Sequence, residues 1–223
     1  VLLLDEVDAL YDDVLISTLR QLRDGFQTRP NLFPQSIALV GLRDIRDFRM
    51  RARADNPSIG SGSPFNIKAE SFFLPVFSKE EVRGLLNQHT QDTGQVFSEE
   101  VLEKLYAYSG GQPWLTNALA NEVVMKILKN DYTQKITLDL IELAKERLIE
   151  QRQTHLDSLA DKIDDPRVRP IIMSIITGDS PAFDGADDAI RYCRDLGIIS
   201  TGNPIQFANP IYREIITRIL TIG

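Results

Sequence analysis

The sequence has 223 residues, of which 43% are hydrophobic and 26% charged, and its formal net charge is −7. This composition is typical of a globular protein, and the acidic balance disfavours broad nucleic-acid binding, which requires Lys and Arg placed against phosphates. A single cysteine, Cys193, excludes an intrachain disulfide and fits a reducing cytoplasm, and no apolar run approaches the roughly 18–20 residues that a membrane span requires.

Two apolar runs near the start of the sequence predict buried strands of a parallel sheet. Val1–Leu4 leads directly into Asp5 and Glu6, and Ser36–Leu42 leads into Arg43. Short, continuously apolar runs of this kind are typical of strands that are covered on both faces. A helix is predicted between the two runs from apolar residues at helical spacing, namely Leu15, Leu19, Leu22 and Phe26.

The next part of the sequence passes from a polar stretch to a short apolar run and then to a helix start. Arg43–Pro64 is rich in Arg, Asn, Pro, Ser and Gly, which predicts a surface loop. Ser71–Val76 predicts a third strand, although Pro75 weakens its end because proline lacks the N–H group. Ser78 followed by Glu81 is the pattern of a capping box, which indicates the start of a helix.

The rest of the sequence predicts mainly helices. Gly110 and Gly111 end one helix, and Pro113 begins the next. Asp164–Pro166 predicts a hinge, and Thr201–Pro204 predicts a turn between two β-prone runs. Helices followed by a small hairpin suggest a winged helix. The predicted helices cover Ser78–Gln91, Glu99–Ser109, Pro113–Ile127, Leu138–Ile163 (one long helix or two in tandem), Arg167–Ile176, Asp184–Leu196 and Pro210–Leu220. The β-prone runs are Ile198–Ser200 and Ile205–Phe207.

The strongest chemical signal is the carboxylate pair that follows the first apolar run. In open α/β sheets, ligands bind at the carboxyl ends of the strands. Asp5 can hold a Mg²⁺ ion there, through water, because Mg²⁺ binds few carboxylates and keeps its hydration. Glu6 can polarise the water that attacks a phosphate. The alternative is an ordinary strand followed by a helix cap, since Asp is a good N-cap residue.

Arg43 is the second candidate, because it follows the second apolar run. At the carboxyl end of a strand, its fork of donors can reach a γ-phosphate. The alternative is a surface arginine beside Asp44 and Asp47.

The third candidate is the turn Gly110-Gly111-Gln112-Pro113-Trp114. Its two glycines free the backbone and Pro113 fixes a helix start, so the turn can press against a flat base, on which Trp114 can also stack. The alternative is a plain turn between two helices.

One expected motif is missing from the sequence. A phosphate-binding loop requires Gly-x-x-x-x-Gly-Lys-Ser/Thr after a strand, and the Gly-rich stretch Gly60–Pro64 has no lysine. Because Val1 is not Met and stands inside an apolar run, we expect a longer polypeptide whose upstream residues supply this loop. His89 and His155 lie far apart on predicted helices, which disfavours a zinc or catalytic role.

In order and spacing, these motifs resemble the AAA-like domains of the STAND class of P-loop NTPases. The resemblance covers nearly the whole chain and includes the segments 63–67, 195–199 and 208–214. Replication initiators of the origin-recognition type are also similar, but their lid usually carries an arginine shortly after Gly-Gly-Asp. The residues Gln112, Pro113 and Trp114 at that place favour the STAND class.

The resemblance implies a fold, a site and a function. The fold is an α/β P-loop NTPase core with a partial parallel sheet over residues 1–77, an all-α lid over 78–165 and a winged helix over 166–223. Asp5 and Glu6 match the Walker B pair, with Asp5 at the metal, and Arg43 matches the sensor arginine. Gly111 and Pro113 match the part of the lid near adenine. The implied function is an ATP-dependent molecular switch with ATP and Mg²⁺ as cofactors, and we expect this chain alone to be inactive.

Two other functions stay open. A DNA-binding regulator would act through the winged helix, but residues 166–223 contain six arginines and six acidic residues, whereas a DNA reader usually has a basic patch. An interaction scaffold would bind partners without nucleotide. The expected partners are nucleotide, the rest of the same protein, and protein partners or a second copy, with neither DNA nor a membrane expected.

Overall fold

The chain is divided into an N-terminal unit, Val1–Phe73, and a C-terminal unit, Leu74–Gly223. The structure is a computed structural model, and it describes residues 1–10, 12–41, 70, 72–151, 159, 162–178 and 187–222. Among these residues, no helix is both long enough and apolar enough to cross a membrane.

In the described part of the N-terminal unit, one helix packs on a pair of parallel strands. Strand β1 (Leu2–Leu4) pairs with β2 (Ile37–Leu39), so that Leu3 lies opposite Ala38. Side chains alternate between the two faces of a strand, and Leu3 remains 69% exposed on the uncovered face. The covering helix is α1 (Asp12–Gly25), which buries the predicted Leu15, Leu19 and Leu22.

The end of α1 explains why Phe26 differs from the prediction. The helix stops at Gly25, and Phe26–Thr28 forms a 3₁₀ turn in which Phe26 is exposed. A Cβ atom at Gly25 would lie 2.2 Å from the ring of Phe33, so only glycine allows Phe33 to pack there.

The predicted third strand is wrong for the part of it that the structure describes. Residues 72–76 form no strand, and their apolar side chains are exposed, with Phe72 at 81% and Leu74 at 86%. Pro75 lacks a backbone N–H to donate, and no described strand lies along this segment.

The predicted fold class, an α/β P-loop core followed by an all-α lid and a winged helix, is contradicted. The described residues are mostly helical and contain a single two-stranded parallel sheet, so they show no α/β P-loop core. The physical reason is that strands of three residues, packed on one helix, leave one face of the sheet uncovered.

The C-terminal unit begins with three helices whose ends follow local signals. The capping box is present, since Ser78 Oγ accepts from the Glu81 N–H at 3.2 Å and Glu81 Oε2 accepts from the Ser78 N–H at 2.7 Å. Gly94 and Gly110 end their helices in the left-handed conformation, as is typical of glycine after a helix. The three helices are α2 (Lys79–Thr93), α3 (Glu99–Ser109) and α4 (Pro113–Asn121).

The helix predicted to run from Pro113 to Ile127 changes type at Glu122. Glu122–Ile127 is a π-helix, in which the Leu128 N–H donates to the Val123 carbonyl five residues earlier. Three consecutive residues of this segment are buried, including Val124.

The rest of the C-terminal unit contains a small hairpin and further helices. Ile199 and Phe207 form an antiparallel bridge, and the Ser200 N–H donates to the Gln206 carbonyl at 2.8 Å, so the hairpin predicted from the turn is present as one bridge without longer strands. The helices are α5 (Leu138–Gln151), α6 (Val168–Thr177), α7 (Asp188–Asp195) and α8 (Pro210–Ile222).

One buried cluster runs through the whole C-terminal unit. It extends from Val82 on α2 to Ile216 on α8, and it includes the buried Cys193. The regions predicted as lid and winged helix therefore share a continuous core.

Candidate functional site

Asp5 and Glu6 form an exposed corner at the carboxyl end of β1. Val40, which follows β2, holds both sides of the corner: its N–H donates to the Leu4 carbonyl at 2.8 Å, and its carbonyl accepts from the Val7 N–H at 3.0 Å. The two carboxylates between these hydrogen bonds project into solvent.

The backbone of Glu6 lies in the left-handed region, with φ 53° and ψ 38°. This conformation costs a residue other than glycine about 1–2 kcal/mol. The Glu6 N–H donates to Asp5 Oδ1 at 2.9 Å, which leaves Asp5 Oδ2 for another partner. Strained residues of this kind are concentrated at functional sites, so the corner is the best-defined candidate among the predicted site residues.

The other predicted residues are distributed as follows. Arg43 lies outside the residues that the structure describes, so its place beside Asp5 and Glu6 stays a prediction. Within the described residues, no group of three or more His, Cys, Asp or Glu side chains could hold a metal ion.

Gly111 and Pro113 lie together in the turn between α3 and α4, in the C-terminal unit. Pro113 is exposed and is the first residue of α4, whereas Gly111 is buried. Gln112 caps the helix, because its Oε1 accepts from the Leu115 N–H at 2.5 Å. Trp114 is half-buried and packs against the core.

Both glycines of this turn are required by close approach of other backbone segments. The Gly111 carbonyl accepts from the Phe77 N–H at 2.8 Å, and a Cβ at Gly111 would lie 2.0 Å from the Phe77 carbonyl oxygen. A Cβ at Gly110 would lie 2.8 Å from the Ala208 carbonyl oxygen. The turn is thus a contact point between the start of the C-terminal unit and the residues that precede α8.

The histidines and the cysteine take structural roles where they are described. His89 Nε2 lies 2.9 Å from Gln95 Oε1, and its ring contacts the edges of Phe97 and Tyr132. Burial raises the pKa of the Cys193 thiol to about 12. His155 lies outside the described residues.

Glu122 is a buried carboxylate in the π-helix that none of the sequence motifs indicated. Its Oε2 lies 2.7 Å from Lys126 Nζ, and its Oε1 lies 3.6 Å from Arg147 Nη1 on α5. Neither contact has hydrogen-bond geometry, so the two cations balance the charge without satisfying the oxygens directionally. The spacing of Glu122 and Lys126 by four residues was the available signal.

A second feature that was missed is an interhelical cluster of charged residues and one tyrosine. Tyr108 Oη donates to Glu142 Oε1 at 2.5 Å, and Lys145 Nζ lies 5.4 Å from the centre of the Tyr108 ring. Burial alone would lower the pKa of Lys145, but Glu146 and Glu214 together keep it above its usual value. The interhelical cluster consists of Lys104 and Tyr108 on α3, Glu142, Lys145 and Glu146 on α5, and Glu214 and Arg218 on α8.

Comparisons with known proteins add no assignment to this geometry. No family model, curated protein or solved structure matches the chain. The resemblance to AAA-like domains therefore rests on the sequence motifs alone.

Proposed function

We propose that this chain is part of an ATP-dependent molecular switch, in which the Asp5–Glu6 corner forms the metal- and water-directed side of the site. The observation that carries the proposal is the corner itself. Two exposed carboxylates follow a parallel strand, one of them on a strained left-handed backbone that Val40 holds from both sides. This is the edge of a parallel sheet at which ligands bind.

The donor set of the corner fits Mg²⁺. Asp5 has one oxygen outside its hydrogen bond to the Glu6 N–H, and Glu6 is exposed. Mg²⁺ takes one or two carboxylates, and water and phosphate oxygens complete its shell. Asp5 would hold the ion, which neutralises phosphate charge when bound, and a Glu6 oxygen would accept a hydrogen bond from water.

The residues of this chain do not fit the triphosphate by themselves. The sequence has no Gly-Lys loop to surround phosphates with N–H groups. The proposal therefore assigns the phosphate contacts to residues outside this sequence, with Arg43 as the sensor and the turn at Gly111 and Pro113 near the base. A cytoplasmic location, where ATP is abundant, belongs to the same proposal.

The test is Glu6→Gln in the intact protein that contains the phosphate-binding residues. We expect ATP hydrolysis to fall by about 100-fold or more, because the amide cannot accept a proton from water, while calorimetry still detects Mg-ATP binding. The matched control is Glu150→Gln, an exposed residue on α5. Hydrolysis at the parent rate in Glu6→Gln would contradict the proposal, as would tight Mg-ATP binding by this chain alone.

A second function, an interaction scaffold, is favoured by the exposed apolar stretch Phe72–Val76. Phe73 and Val76 are also exposed, so four large apolar side chains in five residues face solvent. Contiguous exposed apolar surface marks sites of protein association. A scaffold would bind a protein partner or a second copy there without nucleotide.

Sedimentation of the chain without nucleotide tests the scaffold. We expect a concentration-dependent increase in sedimentation coefficient that is lost when Phe72, Phe73 and Leu74 are all changed to Ser. Val96→Ser is the control, because Val96 is an exposed apolar residue outside this stretch. A parent chain that stays monomeric, or a triple variant that still associates, would count against self-association through these residues.

A further inference from the structure

Helix α8 is part of the main core of the C-terminal unit. It packs against α3 and α5, and its inward residues belong to the same buried cluster as Leu105 and Leu148 of those helices. These inward residues are Ile211, Tyr212, Ile215 and Ile216.

The beginning of α8 contacts the turn between α3 and α4. Asn209 caps α8, because its Oδ1 accepts from the Tyr212 N–H at 2.8 Å. A Cβ added at Gly110 would lie 3.2 Å from the Asn209 Cβ and 2.8 Å from the Ala208 carbonyl oxygen. A displacement of this turn therefore pushes directly on the cap of α8.

The interhelical cluster fastens the middle of α8 to α5 and, through Tyr108, to α3. Lys145 Nζ lies 3.4 Å from Glu214 Oε2, and Arg218 lies 3.4 Å from Glu146 Oε2. The Lys145 side chain is only 14% exposed, so solvent screens its contacts less than those of an ordinary surface ion pair. The beginning of α8 thus lies against the turn after α3, and its middle is paired with α5.

We propose that α3, α5 and α8 move as one body together with the Gly110–Gly111 turn and the hairpin, so that the hinge predicted at Asp164–Pro166 does not separate them. The regulatory meaning of this proposal rests on the ATP-dependent switch: a nucleotide near Pro113 would displace the hairpin and α8 together with the other helices. It would not release them as a separate module. The helices would thus act as one rigid body, called the lever below, and the nucleotide would act on it at the Gly110–Gly111 turn.

Amide hydrogen exchange on the whole chain tests the lever. In the parent protein, we expect the slowest amides of α8 to exchange within about tenfold of those of α3, because both open only when the shared core opens. In Lys145→Met, which keeps the length of the side chain and removes its charge, we expect the slowest amides of α3, α5 and α8 to accelerate by one common factor, about fivefold.

Arg191→Met is the matched control. Arg191 is exposed and pairs with Asp188 within α7, so its loss should change exchange in α3 and α8 by less than about twofold. Acceleration of α8 alone in Lys145→Met would overturn the proposal. If that variant does not fold, the parent protein alone tests the proposal. Slowest amides of α8 that exchange more than about 100-fold faster than the slowest amides of α3 would show that α8 opens separately. No nucleotide is used, so the result is independent of whether the chain takes part in ATP binding.

Discussion

The two units of the chain differ in how many apolar side chains their described residues bury. Among the described residues of the N-terminal unit, one helix covers one face of a two-stranded sheet, and the buried apolar cluster consists of Val7, Leu15, Leu19 and Leu22. In the C-terminal unit, a single cluster runs through the packed helices from α2 to α8. Apolar burial is the main favourable contribution to folding, so stability within the described residues is concentrated in the C-terminal unit.

The difference also separates the two kinds of candidate feature. The Asp5–Glu6 corner lies on the unit with the small core, where backbone strain at Glu6 is held by the hydrogen bonds of Val40. The Gly110–Gly111 turn lies in the well-packed unit, where Phe77 and Ala208 press against it. Under the proposed function, the N-terminal unit would contribute Asp5 and Glu6 to the metal site, and the C-terminal unit would move as a body.

The difference in burial between the two units is tested most strongly by the same substitution, Leu to Ala, in each buried cluster. Leu105 on α3 and Leu19 on α1 are both fully buried. Leu105→Ala should lower the free energy of unfolding of the C-terminal unit by about 3 kcal/mol, because it removes buried methyl groups and leaves a cavity. Trp114 is the only tryptophan, so its fluorescence in a urea titration follows this unit.

Leu19→Ala is the matched control in the other core. It should leave the Trp114 transition unchanged, because Leu19 belongs to the buried cluster of the N-terminal unit. A shift of the Trp114 transition as large as that of Leu105→Ala would mean that the two units unfold together.

The second test addresses the glycine turn that ties the well-packed unit together. Gly111→Ala should lower the free energy of unfolding by about 3 kcal/mol, because its Cβ would overlap the Phe77 carbonyl oxygen and its φ is 73°. Gly94→Ala provides the control: its φ is 77°, but no atom lies within 4 Å of the added Cβ, so only the backbone cost of about 1 kcal/mol remains. Equal losses in the Trp114 transition would show that the contact with Phe77 is unimportant.

The smallest expected effect concerns the pH dependence of the C-terminal unit. Arg167 donates to both carboxylate oxygens of Asp165 and lowers its pKa from 3.8 to about 2. A group whose pKa is lowered by folding stabilises the folded state above its unfolded pKa. Asp165→Asn should therefore lower the free energy of unfolding by about 1 kcal/mol at pH 7, allowing for partial solvent screening.

That difference between parent and Asp165→Asn should shrink as pH falls from about 4 to about 2, where the parent carboxylate becomes protonated. Asp188→Asn, which removes an exposed pair on α7, should change stability by less than about 0.5 kcal/mol at pH 7. A difference between parent and Asp165→Asn that persists unchanged at pH 2 would refute this role of the charge.

Much of the C-terminal unit could be predicted from the sequence, because its helices begin and end at local signals. The capping box at Ser78, the glycine after α3 and Pro113 at the start of α4 act over only a few residues. Leu115 and Leu119, which are four residues apart on α4, are both fully buried, as the periodicity of a helix with one apolar face requires.

The N-terminal unit was predicted less well, for a physical reason. The three apolar runs predicted three strands, but only two of them pair, and each strand is three residues long. A strand requires a neighbour for its hydrogen bonds, and an apolar run does not specify which neighbour it will have. Phe72–Val76 is apolar enough for a strand and yet remains exposed and unpaired among the described residues.

The sequence by itself determined the acidic corner after the first apolar run, the glycine–proline turn and the positions of most helices, because these depend on neighbouring residues. The tertiary structure alone decided three other features: the strain at Glu6, the burial of Glu122 in a π-helix, and the contacts that require glycine at positions 110 and 111. Each of these depends on segments far apart in the chain, such as Val40, Arg147, Phe77 and Ala208, whose approach is set by packing of the whole unit.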